Sequence, residues 1–455
     1  MTSIDSTLTS RTRWSIVALL FASIAINLVD RQLFAVLSPL LIETFSWSGT
    51  QYAYAGIAAN LGMMLGQVPA GQFLDRVGTK VGLAVIFVGW SVITAAHALA
   101  GPGTVIDSIA SALLMPFSWI PGFPVLAGGL AGFVLLRFVL GLFQCGNYTA
   151  GIKALAGLFP AESRSKAGGL FNAGAQFGGL IASLGGLSLL VATFGFSWQM
   201  AFVVPALVCM VWLVPWLALF PDKDTMARIA IKPAAAMATH SSSVPDISLG
   251  RLFSNHKVVA LALIRVFTGP ITVFYWTWLP LYLRSPVEGG GRGMTFLAVG
   301  LFVAIPGLFG MTGNILGGTL TDKLIKVTGS VDKGRKLGFV GAFLLGALSM
   351  TLPFIGSDWL AVLVMGLALF GNQWVAATYI GTVGDVVPQH YAGRVNGIAG
   401  LADNGISMLA VFVTGVVFDA YGWMPIFFGV GIFPFLAMAS LFLVMRKIEP
   451  AQFRA

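Results

Sequence analysis

The stretch Ser15–Ile42 reads SIVALLFASIAINLVDRQLFAVLSPLLI, an apolar run with Asp30 and Arg31 side by side near its middle. At about 20 residues per crossing, this run is long enough to span the hydrocarbon core of a bilayer. A charge at the centre of such a span costs roughly 2.5–3.5 kcal/mol on insertion scales, and ionisable residues kept there usually face a bundle interior or a water-filled path. Two interpretations follow: a functional site, or a mutually neutralising pair that only fixes helix packing.

The composition of the whole chain is typical of a membrane protein. Of the 455 residues, 57% are hydrophobic and only 9% are charged, whereas soluble proteins carry about 25% charged residues. Apolar runs of spanning length occur near residues 15–42, 52–74, 81–100, 126–149, 167–194, 198–220, 257–283, 294–320, 337–356, 359–384, 395–418 and 424–445. The sequence therefore predicts an all-α integral membrane protein with twelve transmembrane helices.

A polar stretch divides the twelve runs into two sets of six. It contains alternating charges, an alanine-rich patch and three consecutive serines. This composition is typical of a flexible linker and includes too few apolar residues for a folded domain. We therefore predict an N-terminal six-helix bundle over residues 1–220, a linker over 221–256 and a C-terminal six-helix bundle over 257–455.

The distribution of positive charge predicts the orientation in the membrane. If both termini and the linker are cytoplasmic, most of the 26 lysines and arginines fall on the cytoplasmic side. Arg31, Arg137 and Arg265 lie in or near spans, and only Arg284 and Arg292 lie outside. This asymmetry follows the positive-inside rule. We therefore expect a multi-pass protein of the cell (inner) membrane. The net charge of +9 reflects this topology and gives no reason to expect a nucleic-acid partner.

The sequence contains no evident nucleophile–base set, metal-ligand cluster or nucleotide-binding loop. The missing Walker-type loop argues against an ATP-driven pump. We therefore expect no enzymatic activity, no metal and no cofactor. A membrane sensor that transports nothing would typically carry a sizeable output domain, whereas this sequence has only short tails and the linker.

A short motif recurs at equivalent places in the two halves. Its residues are Gly71, Asp75, Arg76, Gly78 and Lys80 after the second run, and Gly318, Asp322 and Lys323 after the eighth. Each glycine is expected to permit close helix approach. Each aspartate, at a helix C-terminus, is opposed by the helix dipole and should need a cationic or helix N-terminal partner. We predict that such pairs act in conformational gating, because they would form and break as the two halves rock.

This repeat resembles the major facilitator superfamily, and four further motifs resemble its anion:cation symporter family of organic-anion transporters. The motifs are Asn27-Leu-Val-Asp30-Arg31, Arg137-Phe-Val-Leu-Gly141-Leu-Phe-Gln144-Cys-Gly146-Asn147, Phe159-Pro160-Ala-Glu162-Ser-Arg164 with Phe171-Asn172-Ala-Gly174, and Phe274-Tyr275-Trp276-Thr-Trp278-Leu-Pro280-Leu-Tyr282. The resemblance implies two pseudo-symmetric six-helix bundles with substrate bound between them at mid-membrane.

Three features depart from the family pattern. Leu28 stands where the first motif has tyrosine, and Gln144 stands where many sugar-acid transporters carry an acid. About 20 extra residues, near 101–124, separate the third and fourth runs. This insert is either an amphipathic segment on the membrane surface or a lineage-specific loop without substrate contact.

The resemblance implies that Arg31 and Arg137 are the ligands of the substrate anion. A guanidinium group offers forked, permanently charged donors that suit a carboxylate. Gln144 lies seven residues after Arg137, on the same helix face, and Tyr148 extends that stripe. The alternative is that Arg31 is committed to Asp30, but sequence neighbours point about 100° apart on a helix, which is poor geometry for a pair.

Three more residues are candidate substrate ligands with open alternatives. Asn172 and Gln176 form an i, i+4 polar pair that either binds substrate hydroxyls or joins helices. Tyr275 belongs to an aromatic stripe that either lines the ligand or packs the core.

The eleventh run contains an unexpected acid, Asp403, with Asn404 beside it as a candidate substrate ligand. Asp403 could replace the acid missing at position 144, counter an arginine, bind a cationic part of the substrate or make a structural pair. We include it with Asp30 as a candidate for proton coupling. Arg265, in the seventh run, is expected to extend to the lipid headgroups.

These residues predict secondary active uptake of a small organic anion, driven by protons and proceeding by alternating access. Sugar acids such as hexuronates or aldonates are the first choice of substrate, and aromatic carboxylates are the second. An exchanger or uniporter on the same fold stays open, as does the remote alternative of a non-transporting sensor. The expected partners are the anion, protons and the lipid bilayer, with the chain acting as a monomer.

Overall fold

The computed structural model describes residues 8–119, 126, 128–159, 161–183, 195, 197–222, 254–387 and 389–451. Within these ranges the secondary structure is entirely helical. The first seven α-helices are α1 (Ser10–Phe45), α2 (Gly49–Val77), α3 (Thr79–Ala96), α4 (Val105–Leu114), α5 (Leu130–Leu158), α6 (Ala161–Ser183) and α7 (Trp198–Leu219). The other seven are α8 (His256–Thr277), α9 (Leu279–Arg284), α10 (Phe296–Thr328), α11 (Val331–Ala347), α12 (Asp358–Val386), α13 (Gln389–Tyr421) and α14 (Met424–Ala439).

Twelve of these helices coincide with the twelve apolar runs. Short 3₁₀ segments extend α3 and α11, and a π-helical segment, Ser440–Met445, extends α14. Ten helices of the described chain are long and apolar enough to cross a membrane. The remaining two, α2 and α6, are 29 and 23 residues long but more polar. The prediction of an all-α membrane fold with six long helices before the polar stretch and six after it is confirmed.

The helix ends follow from local sequence. Thr9 precedes α1 and its side chain accepts a hydrogen bond from the Thr12 amide at 3.2 Å, which satisfies one of the unpaired N–H groups of the first turn. Asn255 caps α8 in the same way. Between α2 and α3 the chain turns at Gly78, whose φ of 89° lies in the region that favours glycine.

The chain forms two compact units, which we describe separately. The first includes α1, most of α2 and α3–α7, and the second includes α8–α14 together with Ser48–Ala53 at the start of α2. Because residues 223–253 lie outside the described ranges, the linker over 221–256 and the domain boundaries beside it stay predictions.

An aromatic ladder joins three helices in the core of the first unit. Phe87 of α3 stacks on Trp212 of α7 with ring centroids 4.1 Å apart, and Trp216 stacks one turn further along. The indole N–H of Trp212 donates to the Leu19 carbonyl of α1 at 3.0 Å. Large buried rings with satisfied N–H groups contribute strongly to packing, so this ladder fixes α3 beside α1 and α7. The second unit packs α8 against α13 and α10 against α12.

Candidate functional site

The Asp30 carboxylate lies inside the first unit and accepts hydrogen bonds from three neutral side chains. The Trp90 indole N–H donates to Oδ2 at 2.8 Å, and the Thr94 hydroxyl donates to Oδ1 at 3.2 Å, both from α3. The Gln144 amide of α5 also donates to Oδ2. Asp30 is only 1% exposed, and an ionised carboxylate can only accept hydrogen bonds. These three donors therefore provide the partners that a buried carboxylate requires.

Gln144 bonds both to the Asp30 carboxylate and to a second side chain of α1. Besides donating to Asp30, it accepts a bond through its main-chain oxygen from the Asn27 amide at 3.5 Å. One turn away, the Ser23 hydroxyl donates to the Asn147 side-chain oxygen, and the Asn147 amide donates back to the Ser23 carbonyl, each at 3.1 Å. These bonds set the register of α1 against α5. Gln144 thus binds the carboxylate at the position where the family resemblance led us to expect an acid.

The two arginines of the first unit have different surroundings. Arg137 is 7% exposed, and its guanidinium carbon lies 4.4 Å from the centroid of the Phe34 ring. Its positive charge attracts the Asp30 carboxylate. Arg31 is half-buried, and no described residue forms a hydrogen bond or ion pair with it. Asp30 is thus bonded to other helices rather than to Arg31, so the two do not form a mutually neutralising pair.

Two other candidates of the first unit, Tyr148 and Asn172, lie outside this cluster. Tyr148 is 49% exposed, and its ring centroid is 5.5 Å from that of Phe171. Asn172 is exposed on α6. The side chain of Gln176 lies outside the described residues. The structure therefore brings together Asp30, Arg137 and Gln144, while the roles of the other three stay predictions.

Sequence reasoning missed Trp90 and Thr94. They are four residues apart on α3 and so occupy one helix face. A tryptophan and a threonine at this spacing are more often ordinary packing residues, and only the position of α3 beside α1 shows that both donate to one carboxylate.

The second unit contains a charge pair of its own. Arg265 of α8 forms an ion pair with Asp403 of α13, and its guanidinium carbon lies 5.6 Å from the centroid of the Tyr379 ring on α12. The Ser407 hydroxyl donates to Asp403 at 3.4 Å. The expectation that Arg265 extends to the headgroups was wrong, because a carboxylate within reach satisfies the guanidinium more directly.

A glycine makes room for this pair. A Cβ atom added to Gly269 would lie 1.6 Å from Oδ1 of Asp403 and 2.8 Å from Oγ of Ser407. No atom can occupy that position while the carboxylate is there. The close approach of α8 and α13 at Gly269 therefore allows the acid to lie between the helices.

The two remaining candidates of the second unit differ in burial. Tyr275 is 2% exposed, and its hydroxyl lies 2.8 Å from the Ser349 hydroxyl. A substrate role for Tyr275 would therefore require this hydrogen bond to be exchanged. Asn404 is exposed on α13 next to Asp403, and its proposed role also stays a prediction.

The repeated motif of the first half is held by ion pairs. Asp75 pairs with Lys153 at the end of α5, so it has the cationic partner that its position at a helix C-terminus requires. Lys80 lies 2.8 Å from Asp222, beyond the end of α7. Arg76 is the remaining basic residue of the motif. The gating role of these residues stays a prediction.

The glycines of the motif do not have the predicted contacts. No atom of another described helix lies within 4 Å of a Cβ added at Gly71 or Gly318, so the expected close approach of a described helix at these two positions is absent. In the second half, Asp322 and Lys323 are exposed. Elsewhere in the second half, Arg335 of α11 forms an ion pair with Asp385 of α12 at 2.9 Å.

The described residues contain no group of three or more His, Cys, Asp or Glu side chains that could hold a metal ion. The two cysteines are both free. Cys145 donates to the Leu142 carbonyl at 3.1 Å, and Cys209 is fully buried. Both have the surroundings of packing residues.

Solved structures share this fold. A bacterial homologue of the human lysosomal transporter Spinster, in an inward-facing and occupied conformation, matches with a TM-score of 0.72 and 14% sequence identity, covering 96% of this chain and 98% of that one. The D-xylose–proton symporter matches with a TM-score of 0.69 and 16% identity, with the same coverage of each chain. At these identities the likeness establishes the fold alone.

Sequence comparisons identify the family. The hexuronate transporter of Escherichia coli K12 is 28% identical, with 97% of this chain and 96% of that protein covered. The probable galactarate/D-glucarate transporter GarP of the same strain is 26% identical, with 96% of each covered. The galacturonate transporter of Dickeya chrysanthemi is 29% identical, with 75% of this chain and 90% of that protein covered. The family model described as "Major Facilitator Superfamily" matches residues 20–402. The chain therefore belongs to that superfamily.

Proposed function

We propose that this protein is a secondary active transporter that carries a sugar acid across the membrane by alternating access. Relatives covering nearly the whole chain are named as hexuronate and galactarate/D-glucarate transporters. The first unit supports an anionic substrate, because it contains Arg31 and Arg137 near Asp30, which is the one buried acid among the described residues of that unit.

One observation supports this proposal above the others: neutral donors, rather than Arg31, occupy the Asp30 carboxylate. A charged guanidinium in a membrane protein is costly without a partner. A substrate carboxylate is such a partner and can form two parallel N–H···O bonds with an arginine. Arg31 is therefore a proposed anion ligand, and we assign Arg137, which lies in the Asp30 cluster, as the second, as the family resemblance implies. We assign as further candidate substrate ligands Gln144, Tyr148, Asn172, Gln176, Tyr275 and Asn404, of which Asn172 and Gln176 would bind substrate hydroxyl groups.

We assign proton coupling to Asp30, with Asp403 as a second candidate. Asp30 is the acid of the cluster in the first unit, and its donors can rearrange when its helices move. One proton with a monoanion is electroneutral, whereas each net positive charge entering gains about 2.3 kcal/mol at a membrane potential of 100 mV. Asp403 is already paired with Arg265, so its protonation would release that arginine.

We also propose a location and an orientation for the protein. We place the protein in the inner membrane as a monomer, with both termini and the central linker in the cytoplasm. The positive-inside rule supports this orientation, because the motif Arg76–Lys80 and the polar linker then lie on the same side. The ion pair between Lys80 and Asp222, at the start of that linker, fits this arrangement.

A thermal-shift screen of the purified protein tests the substrate class. The ligands are hexuronates, aldonates, aldarates and aromatic carboxylates, with the matching neutral sugars as controls. Sugar acids should raise the melting temperature, since a ligand at 100 times its Kd stabilises the folded protein by about 2.7 kcal/mol. Stabilisation by neutral or cationic compounds alone would contradict the two-arginine model, and stabilisation by aromatic acids alone would select the second substrate class.

A uniporter or exchanger is a second candidate, and Gln144 favours it. An amide in place of a second acid leaves one fewer proton site in the first unit. Uptake into proteoliposomes under an imposed pH gradient distinguishes these carriers from a proton symporter. A symporter accumulates substrate when the outside is acidic, whereas an exchanger responds to internal substrate and is insensitive to the gradient.

Substituting Gln144→Glu is expected to add a proton to the transport cycle. The new carboxyl group would face Oδ2 of Asp30, where the amide now donates. Two adjacent carboxyl groups resist ionising together, so the pair can bind a second proton. With a monoanion, transport should change from electroneutral to electrogenic. Uptake driven by an inside-negative potential should then exceed that of the wild type.

The control is Gln144→Met, which removes the amide donor without adding an acid. Its uptake should stay insensitive to membrane potential, even if its rate falls. Equal responses of the Glu and Met variants would mean that position 144 does not contribute a proton site.

A further inference from the structure

The insert between α3 and α5 forms a short helix, α4, whose role neither the fold nor the proposed transport explains. Thr104 caps it, accepting a hydrogen bond from the Asp107 amide at 3.3 Å. Its 10 residues rise about 15 Å at 1.5 Å per residue, half of the hydrocarbon thickness of about 30 Å. The helix is therefore too short to span the membrane and lies at one end of its neighbours.

One side of α4 is fixed to the start of α5. The Asp107 carboxylate accepts a hydrogen bond from the Gly132 amide, in the first turn of α5, at 3.2 Å. A negative charge there is stabilised by the unpaired N–H groups and the helix dipole. Ala110 is fully buried, and a Cβ added at Gly132 would lie 3.4 Å from Ile106. The helix is thus a docked element with a defined orientation.

A second side of α4 is apolar and uncovered. Val105, Ile109 and Leu113 follow one another at four-residue spacing and are 75%, 53% and 56% exposed. The polar residues Ser108 and Ser111 are also exposed but lie on a different side of the helix, at 100° per residue. The only charged residue of α4, Asp107, is bonded to α5. The helix is therefore amphipathic, and its charged side chain is bonded to α5.

Neighbouring residues indicate what covers the apolar side. Along α3, the preceding membrane span, exposed valines recur at helical spacing: Val81, Val85, Val88 and Val92. Such a stripe on a spanning helix faces lipid. After α4, Met115 and Trp119 are 72% and 78% exposed, and tryptophan is enriched at membrane–water interfaces. Exposed apolar side chains thus occur on the span before α4, on α4 itself and directly after it.

We propose that α4 is an interfacial helix that lies in the plane of the membrane, with Val105, Ile109 and Leu113 inserted at the boundary between headgroups and acyl chains. Amphipathic helices of this kind bury their apolar side by about 5–10 Å at that boundary. The partner is the lipid bilayer, in the outer leaflet if the termini are cytoplasmic. Because α4 is bonded to the first turn of α5, it fixes the depth of the helix that contains Arg137 and Gln144.

Site-directed spin labelling tests this placement. Single cysteines replace Val105, Ile109 or Leu113, and Ser108 or Ser111 as matched controls, in a Cys145→Ala/Cys209→Ala background. The labelled full-length protein is reconstituted into vesicles of phosphatidylcholine and phosphatidylglycerol. Power saturation compares collisions with oxygen, which concentrates in lipid, and with a water-soluble nickel chelate.

Labels at 105, 109 and 113 should collide preferentially with oxygen, and labels at 108 and 111 with the nickel chelate. Nickel access at all five positions would overturn the proposal by placing the apolar side in water. Immobile labels at 105, 109 and 113 that neither reagent reaches would also overturn it, because a protein surface would then cover the helix. Each labelled variant must keep the melting temperature of its background, which separates these outcomes from unfolding. The result does not depend on the substrate.

Discussion

The Asp30→Asn variant is expected to lose pH-driven accumulation of substrate and to keep counterflow exchange. An amide cannot take up or release a proton in the physiological range. The binding and reorientation of substrate do not need the acid itself. If Asp30 is the coupling site, uphill uptake should fall to the equilibration level under a pH gradient, whereas exchange should stay within a few-fold of the wild type.

The hydrogen bonds around Asp30 make this substitution a sharp test. An asparagine can place its oxygen where Oδ2 now accepts from Trp90 and Gln144. Its amide group then faces the Thr94 hydroxyl, which can accept as well as donate. The site therefore loses a charge while Trp90, Thr94 and Gln144 each keep a hydrogen-bonding partner at position 30, so the packing of α1, α3 and α5 should be retained.

The matched control is Glu288→Gln, which neutralises an exposed acid between α9 and α10. It should accumulate substrate like the wild type. Full accumulation by Asp30→Asn would contradict the assignment and move the proton site elsewhere, and Asp403→Asn would be the next variant. Loss of both accumulation and counterflow would instead show that Asp30 is needed for the transport cycle itself.

The fold was predictable because its signals are local. A run of about 20 apolar residues identifies each span without reference to any other part of the chain. A charge inside a span also stands out locally, which identifies Asp30 and Arg137, whereas Gln144 was identified through the family resemblance and its spacing from Arg137. These three residues do lie in one cluster, on α1 and α5.

Contacts between helices were less predictable, because they depend on how each helix is rotated about its axis. Asp403 and Arg265 were both noted as intramembrane charges, but nothing in the sequence relates two residues so far apart in the chain. The space left by Gly269 permits their pairing. Because the chain contains 56 glycines, the sequence does not indicate which of them provides such a space. Gly71 shows the opposite error, since a motif glycine suggested close contact where the described chain has open space.

The Arg137→Lys variant is expected to bind sugar acids about 10- to 100-fold more weakly, corresponding to the roughly 1.5–3 kcal/mol of a hydrogen bond to a charged group. Lysine keeps the charge but lacks the planar fork that binds a carboxylate through two parallel bonds. It also loses the flat cation that now lies 4.4 Å from the Phe34 ring centroid. Isothermal titration with the best ligand of the thermal-shift screen measures the change.

The control is Arg284→Lys, since Arg284 lies after the seventh span and donates to the Met294 carbonyl at 3.2 Å. Its affinity for sugar acids should match that of the wild type. An Arg137→Lys variant with unchanged affinity would remove Arg137 from the substrate site and leave it an electrostatic partner of Asp30.

The double variant Arg31→Lys/Arg137→Lys tests whether both arginines hold the same carboxylate. Independent sites lose binding free energy additively, within about 0.3–0.5 kcal/mol, whereas groups that share a partner show coupling of about 0.5–3 kcal/mol. If both guanidinium groups bind one carboxylate, the first substitution already disturbs the shared geometry, so the second should cost less than it does alone. Additive losses would instead assign the two arginines to separate parts of the substrate, as a dicarboxylate would allow. The cycle therefore distinguishes a shared carboxylate from two separate ones using binding measurements alone.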